Sequence, residues 1–263
     1  MGYFDSHAHY WDRRFDAEWE GGADALIRSA LEGEVCGIVN VGTSPETSLL
    51  AISQAKEYEG MYAAAGIHPS DAEGWDRLDA SLSAIEELFS HKENKLVALG
   101  EIGLDYHYEP YDREVQLAYF HGQMVLAAKL GVPVLIHDRE AHGDCFDVVS
   151  SHPDVRGVFH SYSGSAEMAR DLVAKGYYIS FSGTVSFTNA KRVAQAAAAV
   201  PRDRLLIETD CPYLAPHPFR GKLNHSGLLP YTARAIAETW GCTEEEVAEV
   251  TAENARRFFG LGG

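Results

Sequence analysis

Two histidines one residue apart open the chain, in Tyr3-Phe4-Asp5-Ser6-His7-Ala8-His9. Side chains alternate faces along a strand, so His7 and His9 point the same way from its C-terminal end. Two neutral imidazoles with a shared direction can grip one divalent cation. Alone, such a pair is equally well read as a polar strand end. Five further residues of ligand type follow short apolar runs: His68 after 62–67, Glu101 after 96–100, His137 after 132–136, His160 after 157–159, and Asp210 just beyond 205–207. Each has an ordinary explanation, Asp210 as a turn cap, Glu101 as an arginine partner, His137 and His160 as satisfied core histidines. Together they repeat one placement, and a shared metal-binding mouth accounts for the repetition.

The elements that would carry these residues follow a simple alternation. Strands are expected at 3–9, 35–41, 62–67, 96–100, 132–136, 157–159, 177–181 and 205–207, with helices between them at 23–31, 45–58, 78–90, 113–130, 145–150, 166–175 and 189–200. Residues 10–22 read as a polar, aromatic loop. Ser44-Pro45, Asp112, Ser165 and Thr243 are helix N-caps, and Gly131 closes the long helix before it. Residues 228–240 and those from 243 onward form the last helices, which cover the barrel. Eight strands alternating with helices indicate an α/β fold of the (β/α)8 TIM-barrel type. A doubly wound open sheet is the rival, weakened by the lack of Gly-x-Gly-x-x-Gly in the first loop. In a closed barrel the downstream strand ends converge on one mouth, which is what His7, His9, His68, Glu101, His137, His160 and Asp210 require.

The chain has 263 residues, enough for one sizeable core, and no linker or low-complexity segment divides it, so one domain over 1–263 is expected. The net charge of -17 argues against a broad basic surface tracking a nucleic-acid backbone, so phosphate recognition has to be local. Cys36, Cys145, Cys211 and Cys242 are far apart in sequence and form neither a disulfide framework nor a cysteine zinc site. With no charged leader followed by an apolar run and no membrane-length apolar stretch, a cytoplasmic protein is expected, with no membrane and no obligate protein partner.

Six segments carry a resemblance: Phe4-Asp5-Ser6-His7-Ala8-His9, Gly66-Ile67-His68-Pro69, Gly100-Glu101-Ile102-Gly103-Leu104-Asp105-Tyr106, Ile136-His137-Asp138-Arg139-Glu140-Ala141, Val158-Phe159-His160-Ser161-Tyr162-Ser163-Gly164, and Glu208-Thr209-Asp210-Cys211-Pro212-Tyr213-Leu214-Ala215-Pro216. In this order they resemble the TatD family of metal-dependent hydrolases, across residues 4 to about 259. The resemblance implies a barrel of the metallo-dependent hydrolase type with two cations, His7, His9 and Asp210 holding one, His137 and His160 the other, and Glu101 bridging. Two cations about 3.5–4 Å apart can share a hydroxide that attacks phosphorus near neutral pH. The imidazole-rich set favours zinc, manganese or nickel, while magnesium can support activity through its abundance. Asp210 would orient or deprotonate the attacking water, His68 would contact the substrate phosphate, and Arg139, Arg220 and Lys222 are the local cations for further phosphate oxygens.

The implied activity is hydrolysis of DNA from a 3′ end, with single-stranded ends as substrate. Removal of a D-amino acid from transfer RNA is an ester hydrolysis open to the same groups, and the residues do not choose between the two. Amidohydrolase or lactonase chemistry on a small molecule ranks below both, because Glu101 fills the bridging position that a carboxylated lysine takes in such barrels. A non-catalytic binding module would have no need of all six ligands. The sequence departs from the family where Asn224 is followed by His225-Ser226-Gly227 instead of Glu-Pro, which puts substrate preference in question and could add a titrating group at the rim. Ser161 and Tyr162 stand where relatives often have Cys and Phe.

Overall fold

A computed structural model describes residues 2–262. Eight strands lie side by side in chain order, each parallel to the next: β1 (Tyr3–Ala8), β2 (Val35–Val41), β3 (Met61–Ala65), β4 (Leu96–Asp105), β5 (Val134–Arg139), β6 (Gly157–Phe159), β7 (Tyr178–Phe181) and β8 (Leu205–Ile207). β1 meets the chain just past β8, where Ala8 bridges Cys211 and the Asp210 N–H donates to the His7 carbonyl at 2.9 Å. This nearly closes the sheet into the expected barrel. The helices are α1 (Arg14–Glu18), α2 (Gly22–Glu32), α3 (Pro45–Glu57), α4 (Leu78–Phe89), α5 (Arg113–Leu130), α6 (His142–Ser151), α7 (Ala166–Ala174), α8 (Lys191–Ala199), α9 (Leu229–Trp240) and α10 (Glu244–Phe259). Among the described residues no helix is long and apolar enough to cross a membrane.

Local chemistry explains where the helices begin and end. Ser44 forms a capping box with Thr47 ahead of Pro45, and the Asp112 carboxylate accepts from the N–H groups of Glu114 and Val115. Ser165 and Thr243 accept from Met168 and Glu246 in the same way. Gly131 ends α5 with φ at 69°, in the left-handed region that costs glycine little.

Apolar residues alternate between two cores. Ile38, Leu99, Ile136 and Ile207 face outward to the helices, while their neighbours Val39, Ala98, Leu135 and Leu206 face into the barrel with Phe4, Ala64, Val158 and Tyr178. Burial on both faces is why these strands read as continuous apolar runs. α10 closes the lower end of the lumen, with Phe259 stacked on Phe4 at 6.0 Å and Phe258 against Tyr178 at 5.0 Å. Burying each phenylalanine contributes roughly 1.5–3 kcal/mol.

Several boundaries differ from the sequence expectation. The fourth strand does not stop before Glu101 but continues to Asp105, and the fifth includes His137 and runs to Arg139, because the two go on pairing from Ile102↔Ile136 to Asp105↔Arg139. The fifth strand also starts at Val134 and not at 132, since Pro133 has no N–H to give a ladder. The third ends at Ala65, leaving His68 in the loop beyond it. α1 lies within the expected loop 10–22; its five residues are too few for a periodic signal.

Candidate metal centre

Period-two alternation takes the lumen face of β5 and β6 from Leu135 and Val158 to His137 and His160, and takes the chain leaving β8 from Leu206 to Glu208. β1 and β4 cannot work this way, because Phe4 to His7 and Ala98 to Glu101 are odd steps. Both strands are irregular at that point. Against β2, Asp5 pairs with Ile38 and Ala8 with Asn40; between β4 and β5, Leu99 pairs with Val134 and Ile102 with Ile136. One extra residue in each strand reverses the phase and turns His7 and Glu101 inward, the usual use of a bulge beside a site.

Glu101 sits at the centre of the cluster. Its Oε1 lies 2.7 Å from His160 Nε2 and 2.8 Å from His137 Nδ1, whereas its Oε2 lies 3.5 Å from His7 Nε2 and 3.6 Å from His9 Nε2. The two histidine pairs are closely matched: His7 and His9 bring ring nitrogens within 3.2 Å, and so do His137 and His160. Asp210 Oδ1 is 3.3 Å from His9 Nε2, and His7 stacks on His160 at 4.0 Å. His68 Nε2 approaches Glu101 Oε1 at 3.7 Å. The structure thus brings together all seven residues expected at the mouth.

A second layer aims these groups, and sequence reasoning gave its members no role. Asp105 Oδ2 holds His137 Nε2 at 3.1 Å, Glu208 Oε1 holds His160 Nδ1 at 3.2 Å, and the Val41 carbonyl holds His9 Nδ1 at 2.8 Å. Carboxylates behind the imidazoles fix which nitrogen faces the centre. Asp105 and Glu208 lie inside the segments singled out above, and an alternation count from Leu206 would have found Glu208.

The electrostatics are those of carboxylates buried among imidazoles. Burial alone would raise Glu101, but His160, His68 and His137 outweigh it and hold the carboxyl well below its usual range. Burial would lower His160, yet Glu101 and Glu208 carry it well above the ordinary imidazole value. His137 and His9 are raised against burial by Asp105 with Glu101 and by Asp210 with Glu101 respectively. His7 is lowered by burial and by His160, and burial takes His68 down to about 3. Asp210 is lowered, the His9 hydrogen bond and the charge of His160 overcoming burial.

The family model for TatD-related DNases matches residues 4–260. The chain belongs to the TatD family. An uncharacterized metal-dependent hydrolase, YabD of Bacillus subtilis strain 168, is 41% identical over 258 residues, covering 97% of this chain and 98% of that protein. An uncharacterized metal-dependent hydrolase of Mycobacterium tuberculosis, TatD, is 37% identical over 271 residues, covering 98% of each. The crystal structure of YJJV, a TatD homologue from Escherichia coli K12, superposes with a TM-score of 0.90 at 27% identity, over 99% of this chain and 98% of that one. A phosphotriesterase homology protein from Escherichia coli shares the fold at a TM-score of 0.67 and 13% identity, over 98% of each chain. As a TatD protein the chain is a metal-dependent hydrolase.

The residues fit a divalent cation. Nitrogens 3.2 Å apart are the spacing of two imidazoles on one ion, since bonds of about 2.0–2.1 Å at an angle of roughly 100° give that separation. His7, His9 and Glu101 form one group of mutually close donors, and Glu101, His137 and His160 another.

Other TatD expectations fare unevenly. A cavity of about 810 Å³ opens above the cluster, and its wall includes His9, His68, Glu101, His137, His160 and Asp210. Arg139 also lines it, with its guanidinium over the Tyr108 ring. Arg220 and Lys222 are exposed and outside the lining, although Arg220 stacks on Phe187, which is part of it. The departure at 224–227 lies behind the site and not on its rim. Asn224 donates to the carbonyls of Thr209 and Tyr213, and Ser226 donates to Asp5, which also accepts from the Thr209 N–H and hydroxyl. His225 packs near Trp19 at 5.6 Å, outside the cavity wall, and burial lowers its pKa.

Proposed function

We propose that the chain is a two-metal phosphodiesterase that removes nucleotides from the 3′ end of single-stranded DNA. The observation that carries this reading is the division of the Glu101 oxygens, Oε2 toward His7 and His9, Oε1 toward His137 and His160. His7, His9 and Asp210 would hold one cation, His137 and His160 the other, with Glu101 shared between them. Zinc, manganese or nickel suits this donor set, and magnesium can serve where it is abundant. When bound, the cations supply Lewis acidity toward a phosphoryl oxygen and acidify water at neutral pH.

The remaining work falls to this chain's own groups. Asp210, held in its ionised form and lining the cavity, orients the attacking water and accepts its proton. His68 Nδ1 accepts the Ser70 N–H at 3.1 Å, so its proton resides on Nε2, and burial keeps the ring neutral. It therefore offers a phosphoryl oxygen a hydrogen bond without surrendering a proton. Arg139 grips a further phosphate oxygen in the cavity, and Arg220 and Lys222 meet phosphates farther along the strand.

The test sets 3′-labelled single-stranded DNA beside D-aminoacyl transfer RNA under identical metal conditions. Release of mononucleotides from the labelled end, with no deacylation, is the expected result. Deacylation without nucleotide release would transfer the assignment to ester hydrolysis on transfer RNA.

A further inference from the structure

The aromatic side chains are unevenly spread over the surface. Among the described residues the exposed ones are Trp19, Trp75, Tyr108, Tyr111 and Tyr213, and all five lie in segments leaving the C-terminal ends of strands. The exposed large aliphatics, Leu49, Leu50 and Val125, lie instead on α3 and α5. Tyr108 and Tyr213 line the cavity above the metal cluster, together with half-buried Trp11 and Phe187.

Three of these four carry an arginine on the ring. Arg139 lies 4.7 Å over Tyr108, Arg220 4.7 Å over Phe187, and Arg14 5.6 Å over Tyr213. Each pair ties the segment after one strand to the end of, or the segment after, a neighbouring strand, so the contacts staple adjacent parts of the mouth. Stapling alone does not require exposure, yet Tyr108 keeps 60% of its surface accessible with the guanidinium already over its ring. A planar ring beside a cation at the mouth suits a planar, aromatic, anionic ligand. A chain of net charge -17 has little affinity to gain from phosphates alone. Stacking supplies affinity without sequence preference, because every base has a π-face.

We propose that Tyr108, with Arg139 over its ring, is a base-stacking subsite for an unpaired nucleotide entering the cavity, and that Phe187 with Arg220 and Tyr213 with Arg14 are further platforms for the same strand. The proposal rests on the nuclease reading and adds to it that the enzyme recognises bases as well as phosphates. A duplex end, with its bases already stacked on each other, offers these platforms nothing until it frays.

The test compares two 3′-labelled oligonucleotides of equal length, one normal and one with abasic residues at its 3′-terminal positions, under steady-state conditions with the metal-loaded enzyme. For the wild type, KM is expected to rise about tenfold on the abasic strand. In Tyr108→Leu that discrimination should shrink several-fold, through KM more than kcat, and Tyr108→Phe should restore it because the ring is retained. Equal KM for the two strands in the wild type would overturn the subsite and leave the nuclease assignment standing. If neither strand is cut, the nuclease assignment falls and the subsite falls with it. The wild-type comparison needs no variant to fold.

Discussion

At the residue scale, Asp210 and Asp105 are both carboxylates beside an imidazole, but they stand in different places. Both reach the cavity wall, but Asp210 is partly exposed there beside His9, whereas Asp105 is buried and bonded to the Nε2 of His137. Asp210→Asn keeps the size and one oxygen while removing the proton acceptor. We expect its single-turnover rate to fall roughly 100- to 10,000-fold even with full metal occupancy; near wild-type turnover in a sample of measured stoichiometry would refute that role. Asp105→Asn should instead weaken metal binding by about 10- to 100-fold, as removal of a group orienting a ligand does, with turnover largely recovered at saturating metal. The raised pKa values of His160, His137 and His9 give a third expectation. Any proton on these rings must leave when a cation binds, so affinity should weaken as pH falls. Calorimetric titration in buffers of different ionisation enthalpy counts the released protons, and a heat independent of buffer would contradict the expectation.

At the element scale, the bulges in β1 and β4 decide which side chains enter the lumen. The β4 bulge is packed too closely to tolerate a larger residue at its start. A methyl group on Gly100 would lie 2.6 Å from the Leu135 Cβ, and one on Gly66 would lie 2.7 Å from the Gly100 backbone. Gly100→Ala should therefore cost about 1–3 kcal/mol of stability, as overpacking does, and should lower metal affinity because Glu101 shifts with the strand. Urea unfolding and metal titration of the same variant check both parts. Loss of stability with unchanged metal affinity would show that Glu101 does not depend on this packing.

At the scale of the whole molecule, the closed order of strands brings residues from 7 to 210 to one mouth while α10 fills the other end. The net charge of -17 argues against a basic groove, and it leaves Arg139 in the cavity wall and Arg220 over Phe187 as local cations, with Lys222 exposed two residues on. An enzyme built this way should digest strand ends and short single strands faster than it nicks duplex interiors. Supercoiled closed-circular DNA and a 3′-labelled single strand, assayed together, provide the comparison; random internal nicking at the rate of end digestion would count against it.

Much of this architecture is written locally in the chain. Ser44, Asp112 and Thr243 announce their helices because a cap is a contact over three residues, and the apolar runs announce buried strands because both faces are covered. His137 and His160 were legible as candidate ligands for the same reason, each standing two residues beyond a lumen residue. Tertiary structure alone decided the rest. Whether Glu101 faces the lumen depends on a bulge that exists only in the pairing of β4 with β5, and a three-residue step read on one strand would have pointed it outward. Asp105 and Glu208 acquire their partners from other segments, and Arg220 and Lys222 lie outside the cavity because of the path of the loop after β8. Sequence periodicity records the conformation of a single strand, whereas register and loop path are set by neighbours distant in the chain.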